Sequence, residues 1–495
     1  MKHSQQRAHY SAGILLAVLL ALTLPALADF NPATALPEMG DAAGAYLSPA
    51  EEKQLGREFM RELRRSVKII DDPEIELYVQ NLGQRLASYL KNQNYEYKFF
   101  VIDNPAINAF AAPDGYIGIN SGLILATQSE GELASVIAHE IAHINQHHLA
   151  RQLEHGFKTS LPTLAAIIAA VLLSSQGGDA SYAAISAGVA GSAQMQLNFT
   201  RANEQEADRV GIQLLAGAGF SPYGMTEFFS LLQQRSKYGE SAAPEFLRTH
   251  PLTISRISDS MSRAEQYPHQ EDTSSLNYHF MRQRLQAATS SNPAATASDM
   301  SQLLAEQQYL NEYGQRYGLA YALLLGGDLK GAEEQINKLI SDDQDRATYQ
   351  SLRAEIAQAR RDFAGAAKIY DEVLKIHPGN KWLTLRLAEA LLHNDQPAQA
   401  RTLLYGIFRE RETTPHIYKL LAQSENALGS QVEAHLSLAE YYYLSGYTVK
   451  AIEQLELALN QYQPTDTQSD YLKKRIEQLK AELIIETPAP DRYTR

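Results

Sequence analysis

The spacing of alanines limits how this chain can fold more than any other feature. They fall in pairs twelve residues apart, Ala320/Ala332, Ala354/Ala366, Ala388/Ala400 and Ala422/Ala434, and each pair follows the last by 34 residues. A period of that length suits two antiparallel helices, with a small residue at a fixed place on each to let the pair pack closely. Such a unit cannot bury its apolar face alone, so successive units must stack. Residues 306–485 are therefore expected to form an all-α solenoid. The clearest second helix is "RRDFAGAAKIYDEVLKIHP", with Tyr370 and the closing Pro378 where a unit of this kind needs them. A fifth pair, Ala439/Ala451, is displaced by 17 residues, the length of one helix. The helix near 431–445 is thus expected to serve in two overlapping pairs.

Thirty-four residues is the period of the tetratricopeptide repeat. The solenoid leaves most of the 495 residues unexplained, and the length points to two or three domains. At the start, Lys2 and Arg7 precede the apolar run "AGILLAVLLALTL", and "PALA-D" ends in small residues. That is a secretory signal with cleavage expected after Ala28. The run is too short for a spanning helix of roughly 20 residues. Loss of the two basic residues takes 44 down to 42 against 57 acidic ones, a mature net charge of −15. So acidic a chain is a poor binder of nucleic acid or anionic lipid through overall charge. With no cysteine, it has no disulfide, thiolate ligand or cysteine nucleophile, and a lipid-modified N-terminus after cleavage is not expected.

Between these ends, "SPAEEKQLGREFMRELRRS" opens with Ser48 and Glu51 in capping-box spacing and continues as an amphipathic helix. "YEYKFFVID" and "GYIGINSGLIL" are expected as strands on either side of an "NPAINAFAAPDG" turn. "GYIGINSG" (115–122) is the expected edge strand for an extended substrate, by backbone pairing. "LPTLAAIIAAVLL" (161–173) and the small-residue stretch to 196 are expected to form a buried or lid-like helix pair, covering a site rather than entering a membrane. The polar, proline-containing stretches around 266–300 point to a hinge.

The chemistry is concentrated in "SVIAHEIAHINQHHLAR" (135–151). His139 and His143 are four apart, so on a helix their imidazoles lie on one face and can converge on one zinc ion. Glu140 faces away from that pair but can reach a water on the open side of the ion and take its proton. His147 is one turn further on, about 12 Å from His139 along a continuous helix, too far to share the ion. His147, His148 and His155 are read as a polar, partly exposed helix end. A third ligand is expected from "FTRANEQEADRVGIQLL" (199–215), where Glu204 and Asp208 share a face while Glu206 points elsewhere, toward solvent. Glu204 completes a two-histidine, one-glutamate site, and Asp208 can accept a hydrogen bond from a ligand imidazole.

"HEIAHINQHH", "NEQEAD" and "NAFAAPDGYIGINSGLI" together resemble the HtpX/Oma-type zinc endopeptidases, family forty-eight of the metallopeptidases, over roughly 50–265. The resemblance implies an α+β, predominantly helical gluzincin fold ahead of the solenoid, with one Zn2+ per chain. It places zinc on His139, His143 and Glu204, the catalytic base at Glu140, and a catalytic aspartate at Asp208. A similar His-Pro segment with a downstream Arg-Ile recurs in the family, here "RTHPLTISRI" (248–257). His250 could cap a turn before Pro251, polarise the substrate carbonyl, or occupy the open zinc position and keep the enzyme latent.

The expected organisation is a signal peptide (1–28), a linker (29–48), a zinc metallopeptidase domain (49–265), a hinge or connecting region (266–305) and the repeats (306–485). A signal peptide, a protease without transmembrane segments and a repeat array together resemble a periplasmic branch of the family. That implies unfolded or misassembled proteins as substrates, and repeats that recruit partners, including the outer-membrane β-barrel assembly machinery. The competing expectation is a chaperone or adaptor in which the repeats bind clients and the zinc site is latent or structural.

Overall fold

The computed structural model describes residues 48–92, 95–153, 161–173, 200–238, 244–268, 274–409 and 414–486. The expected signal peptide, the linker up to residue 47, His155 and residues 174–196 lie outside the described residues.

The chain opens with helix α1 (Pro49–Ser66), started by the capping box, with Ser48 N–H donating to Glu51 Oε2 at 2.9 Å and Glu51 N–H donating to Ser48 Oγ at 3.3 Å. Asp72 caps α2 (Pro73–Ala87) through its Oδ1. Three strands follow, β1 (Lys98–Ile102), β2 (Ala109–Ala111) and β3 (Tyr116–Asn120). Their order is β1-β3-β2, with β3 parallel to β1 (Lys98 opposite Tyr116) and antiparallel to β2 (Ala109 opposite Ile119). The "NPAINAFAAPDG" segment, expected as a turn, thus contains a strand, and "SGLIL" belongs to helix α3 (Ser121–Ala126). Next come α4 (Glu130–Asn145), α5 (His148–Leu153) and α6 (Leu161–Leu173). α6 buries Leu164, Ala165, Ile168 and Ala169 in one cluster with Leu55, Phe59 and Leu63 of α1 and Phe110 of β2. Four apolar positions on one face make it a packed helix, as its shortness required.

The first half ends with α7 (Arg201–Gly217), α8 (Gly224–Tyr238), α9 (Phe246–Thr249) and α10 (Ile254–Ala264). The stretch 266–305, expected as a hinge, folds instead into α11 (Leu276–Ala288) and α12 (Pro293–Ala305). Its serines, asparagine and proline are helix-start signals: Ser275 caps α11, and Asn292 caps α12 just ahead of Pro293. Tyr278, Phe280 and Leu285 of α11 join one continuous core that runs from Ile75 to Ile356.

The solenoid continues as α13 (Glu312–Leu325), α14 (Leu329–Asp342), α15 (Ala347–Ala359), α16 (Phe363–Ile376), α17 (Lys381–His393), α18 (Pro397–Arg409), α19 (Pro415–Ala427), α20 (Gln431–Leu444), α21 (Thr448–Gln461) and α22 (Asp466–Glu486). All ten alanines of the periodic pairs are buried, none above 8% exposure. α20 packs against both α19 and α21, so it does serve two overlapping pairs.

Two polar nodes tie the solenoid back to the first half. Arg284 of α11, fully buried, donates from Nε to Asp72 Oδ2 at 2.9 Å and from Nη2 to Glu355 Oε1 at 2.9 Å. At the far end, Arg61 of α1 donates to the Tyr443 carbonyl at 3.0 Å and stacks over the Tyr443 ring.

Candidate metal centre

Two helices and one short segment assemble the site. Ser129 caps α4, and the 3.6-residue period brings His139 and His143 to the same face near its C-terminal end. Thr200 caps α7, which presents Glu204 and Asp208 one turn apart. The two helices cross closely because position 211 is glycine: a Cβ there would come within 2.9 Å of Met225 Cε and 3.4 Å of the His139 backbone nitrogen. Ala207, wholly buried beside the carboxylates, helps in the same way. His250 follows the single turn of α9; its backbone N–H donates to the Phe246 carbonyl at 2.8 Å, and its ring stacks on that of Phe246.

His139, Glu140, His143, Glu204, Asp208 and His250 are all buried, at 2% exposure or less. Nε2 of His139 lies 3.0 Å from Nε2 of His143 and 3.4 Å from Nδ1 of His250. Glu204 Oε1 is 3.4 Å from His143 Nε2 and 3.0 Å from His250 Nδ1, and its Oε2 is 3.5 Å from His139 Nε2. Four bonds of 2.0–2.1 Å to a tetrahedral ion would set the ligand atoms about 3.4 Å apart. The observed separations, 3.0–3.5 Å, bracket that figure.

Both oxygens of Glu140 are buried without a hydrogen-bond partner, the nearest imidazole being His250 at 3.6 Å. Desolvation at this depth is unfavourable unless something polar completes the site. The donor set, its spacing and this orphaned carboxylate therefore fit a metal ion.

Electrostatics point the same way. Burial pushes the Glu140 carboxyl up, offset only in part by His250 and His139. For Glu204, burial is outweighed by the surrounding His250, His139 and His143, which hold it well below the usual carboxylate range. His143 is driven well down by burial. His139 goes the other way, to about 9: burial opposes the charge, but the Asp208 and Glu204 carboxylates prevail. Asp208 Oδ1 lies 3.0 Å from His139 Nδ1, which orients that imidazole with Nε2 toward the cluster.

Residues 73–264 match the Peptidase family M48 model, and residues 357–424 match a tetratricopeptide repeat model. A β-barrel assembly-enhancing protease of Escherichia coli is 32% identical over 476 residues, covering 96% of this chain and 97% of that one. The chain belongs to peptidase family M48. A second β-barrel assembly-enhancing protease, from Yersinia pestis, is 32% identical over 445 residues, 90% of this chain and 91% of its own length. The mitochondrial metalloendopeptidase OMA1 of Arabidopsis thaliana is 26% identical over 235 residues, covering 45% of this chain and 43% of that one. The protein is thus a metalloendopeptidase, α+β and predominantly helical, with tetratricopeptide repeats after the M48 domain.

Around this M48 site the structure corrects three expectations. α4 does not run on through the histidines: it stops at Asn145, and His147 takes a left-handed conformation with φ of 52° without any glycine. His147 then turns away, its Nδ1 2.9 Å from the Tyr95 hydroxyl. The break also carries His148 inward. Far from lying at an exposed helix end, His148 is fully buried, with its Nδ1 2.9 Å from His143 Nδ1 and its Nε2 3.0 Å from Glu206 Oε2. Glu206 points away from the cluster and is half exposed, as expected, and it also engages His148.

The third correction concerns the edge strand. β3, from "GYIGINSG", is the central strand, paired on both sides, and β2 lies at the edge beside α4. In an antiparallel pair centred on Phe110 and Gly118, the amides of Ala109 and Ala111 face outward. The Ala111 amide lies toward Glu140.

One residue was quoted in the sequence without a role. Arg256, at the start of α10 and 2% exposed, grips Asp208 with Nε and Nη2, each at 2.7 Å. Its Nη1 donates to the Pro251 carbonyl at 2.9 Å and lies 2.8 Å from Glu204 Oε2, off the hydrogen-bond direction. The available signal was "HPLTISR", which puts an arginine six residues beyond His250.

Proposed function

We propose that this chain is a periplasmic zinc endopeptidase that cleaves unfolded or misassembled proteins during outer-membrane β-barrel assembly. The convergence of His139, His143 and Glu204 next to a partnerless, buried Glu140 carries the reading. These three residues would hold one Zn2+ per chain, whose chemistry is to polarise a peptide carbonyl and acidify water. Glu140 accepts the proton from the attacking water and returns it to the leaving amine. Asp208 holds the Nδ1 proton of His139, so that Nε2 stays free to ligate. The outward amides of Ala109 and Ala111 on β2 pair with an extended substrate, which would suit clients of varied sequence.

The names of the relatives support the assembly role, and the N-terminal signal pattern supports export. No helix among the described residues is long and apolar enough to cross a membrane. The repeats engage protein partners, including the outer-membrane assembly machinery.

His250 Nδ1 stands among the ligand atoms, where a fourth protein ligand would displace the water that hydrolysis needs. This placement supports a latent resting form, from which His250 leaves on activation. That geometry also favours a chaperone role while the site is closed.

The test follows cleavage of an unfolded protein by the zinc-loaded mature chain, its Glu140→Gln variant and its His250→Ala variant. Cleavage by wild type or by His250→Ala that is lost when Glu140→Gln is introduced into that same background supports the reading. Equal cleavage with and without Glu140 would refute it. Undiminished protection of clients by Glu140→Gln would identify the chaperone activity as separate from proteolysis.

A further inference from the structure

His250 reaches the metal centre from a four-residue connection, His250 to Thr253, between the single turn of α9 and the start of α10. The connection is fastened at both ends. On the α9 side, the His250 amide and ring are held by Phe246. On the α10 side, the fastening is the guanidinium of Arg256, whose Nη1 donates to the carbonyl of Pro251, the residue next to His250.

Arg256 is itself anchored elsewhere. Its Nε and Nη2 form a bidentate pair with Asp208, a geometry specific to guanidinium and among the strongest charge-assisted contacts. Asp208 sits on α7 one turn after Glu204 and also meets His139 Nδ1. The same Nη1 that holds Pro251 lies against Glu204 Oε2. One buried side chain therefore contacts a ligand carboxylate, the aspartate that orients a second ligand, and the backbone beside His250.

We propose that Arg256 is the positioning residue that sets where His250 stands, keeping it at the metal through the Pro251 carbonyl while Asp208 serves as the fixed support. The proposal rests on the latent reading of His250. When His250 withdraws, the Pro251 carbonyl leaves Nη1, and the bidentate pair with Asp208 remains. In that buried setting the freed Nη1–H turns to Glu204 Oε2, so opening and ligand geometry are coupled through one guanidinium. A lysine keeps the charge but has one nitrogen, which cannot grip Asp208 side-on and reach Pro251 together.

The experiment compares the full mature chain with His250→Ala, Arg256→Lys and the double variant, each checked for folding by circular dichroism. Co2+ replaces zinc so that the visible spectrum reports coordination, and Zn2+ affinity is read by chelator competition. His250→Ala should change the Co2+ spectrum by removing an imidazole. Arg256→Lys should change it in the same direction, and the double variant should match His250→Ala. Arg256→Lys should also weaken Zn2+ binding by about tenfold or more, through Asp208 and Glu204.

A folded Arg256→Lys with the wild-type spectrum, beside a changed His250→Ala, overturns the role of Arg256 and leaves the latent reading standing. An unchanged spectrum in His250→Ala removes the latent reading and the proposal with it. If the lysine variant does not fold, Arg256→Gln is read by the same spectrum, since a planar amide can serve only one of the two sides.

Discussion

Replacing Glu74 by glutamine should stabilise the protein at alkaline pH and leave it almost unchanged at pH 5. Glu74 lies in the first turn of α2, 5% exposed, in the cluster that joins the metallopeptidase half to the repeats. Its Oε2 is 3.2 Å from Arg284 Nη1 and accepts from the Tyr317 hydroxyl at 3.3 Å, while Oε1 has no hydrogen-bond partner. Arg284 and Arg386 serve three carboxylates here, Asp72, Glu74 and Glu355. Asp72 has the better claim: burial opposes its charge, but Arg284 and Arg386 pull it down to about 2. Glu74 is left with the remainder. Burial first, then Glu355 and Asp72, push it up to about 8 against the pull of Arg284.

A carboxyl whose folded pKa is raised binds a proton in the folded state that the unfolded chain has released. Its contribution to stability is complete below the unfolded value near 4.5 and is lost as pH rises through about 8. One proton over one pH unit is 1.36 kcal/mol, so by pH 7 the loss is on the order of 2–3 kcal/mol, with the arginines able to shift toward Glu74. Glutamine resembles the protonated form and suffers no such loss. Urea unfolding of both proteins at pH 5, 7 and 8.5 measures the difference, from which the titrating groups not coupled to Glu74 cancel. A gap that is the same at all three pH values, or a variant less stable than wild type at pH 8.5, would refute the assignment of the proton to Glu74.

Other outcomes follow from single contacts. His148→Ala frees the Nδ1 side of His143 and should weaken Zn2+ binding by about tenfold in a chelator competition. Gly446 has φ of 84° and a Cβ there would collide with the Arg61 carbonyl, so Gly446→Ala should cost more than about 1 kcal/mol and lower the melting temperature. Ala366, fully buried where paired helices touch, tolerates no extra volume, and Ala366→Leu should cost about 1–3 kcal/mol, read by urea unfolding.

What could be read from the sequence was set by local rules. The alanine period survives as buried helix contacts because the same two-helix unit is built each time, with each alanine at its crossing. His139 and His143 could be paired from their spacing because four residues on a helix always share a face. The capping box at Ser48 is complete within four residues. By contrast, β2 has only three residues, "AFA", whose strand character comes from pairing with Gly118 across the sheet. An apolar triplet between two turn signals carries no period to detect. The supposed hinge failed for a related reason: Ser, Asn and Pro mark loops and helix caps alike, and only the buried Tyr278, Phe280 and Leu285 that follow decide between them.

His147 shows how far one backbone angle can carry this. On a continuous helix, His148 would project about 100° from His147 and about 140° from His143. The left-handed turn at His147 ends α4 two residues earlier and restarts the chain as α5, so that His148 folds back onto His143. A non-glycine residue seldom holds such a conformation unless its surroundings repay the strain. Here the repayment is visible on both sides: the Tyr95 hydroxyl meets the His147 ring, and His148 reaches Glu206 on the helix that carries Glu204. Arg256 works by the same logic from α10, through Asp208 on that helix. α7 is therefore braced twice, against α4 by Asp208 at His139 and against the start of α5 by Glu206 at His148, whose ring backs onto His143; together these fix the distance between the two histidines and the glutamate that any metal must span.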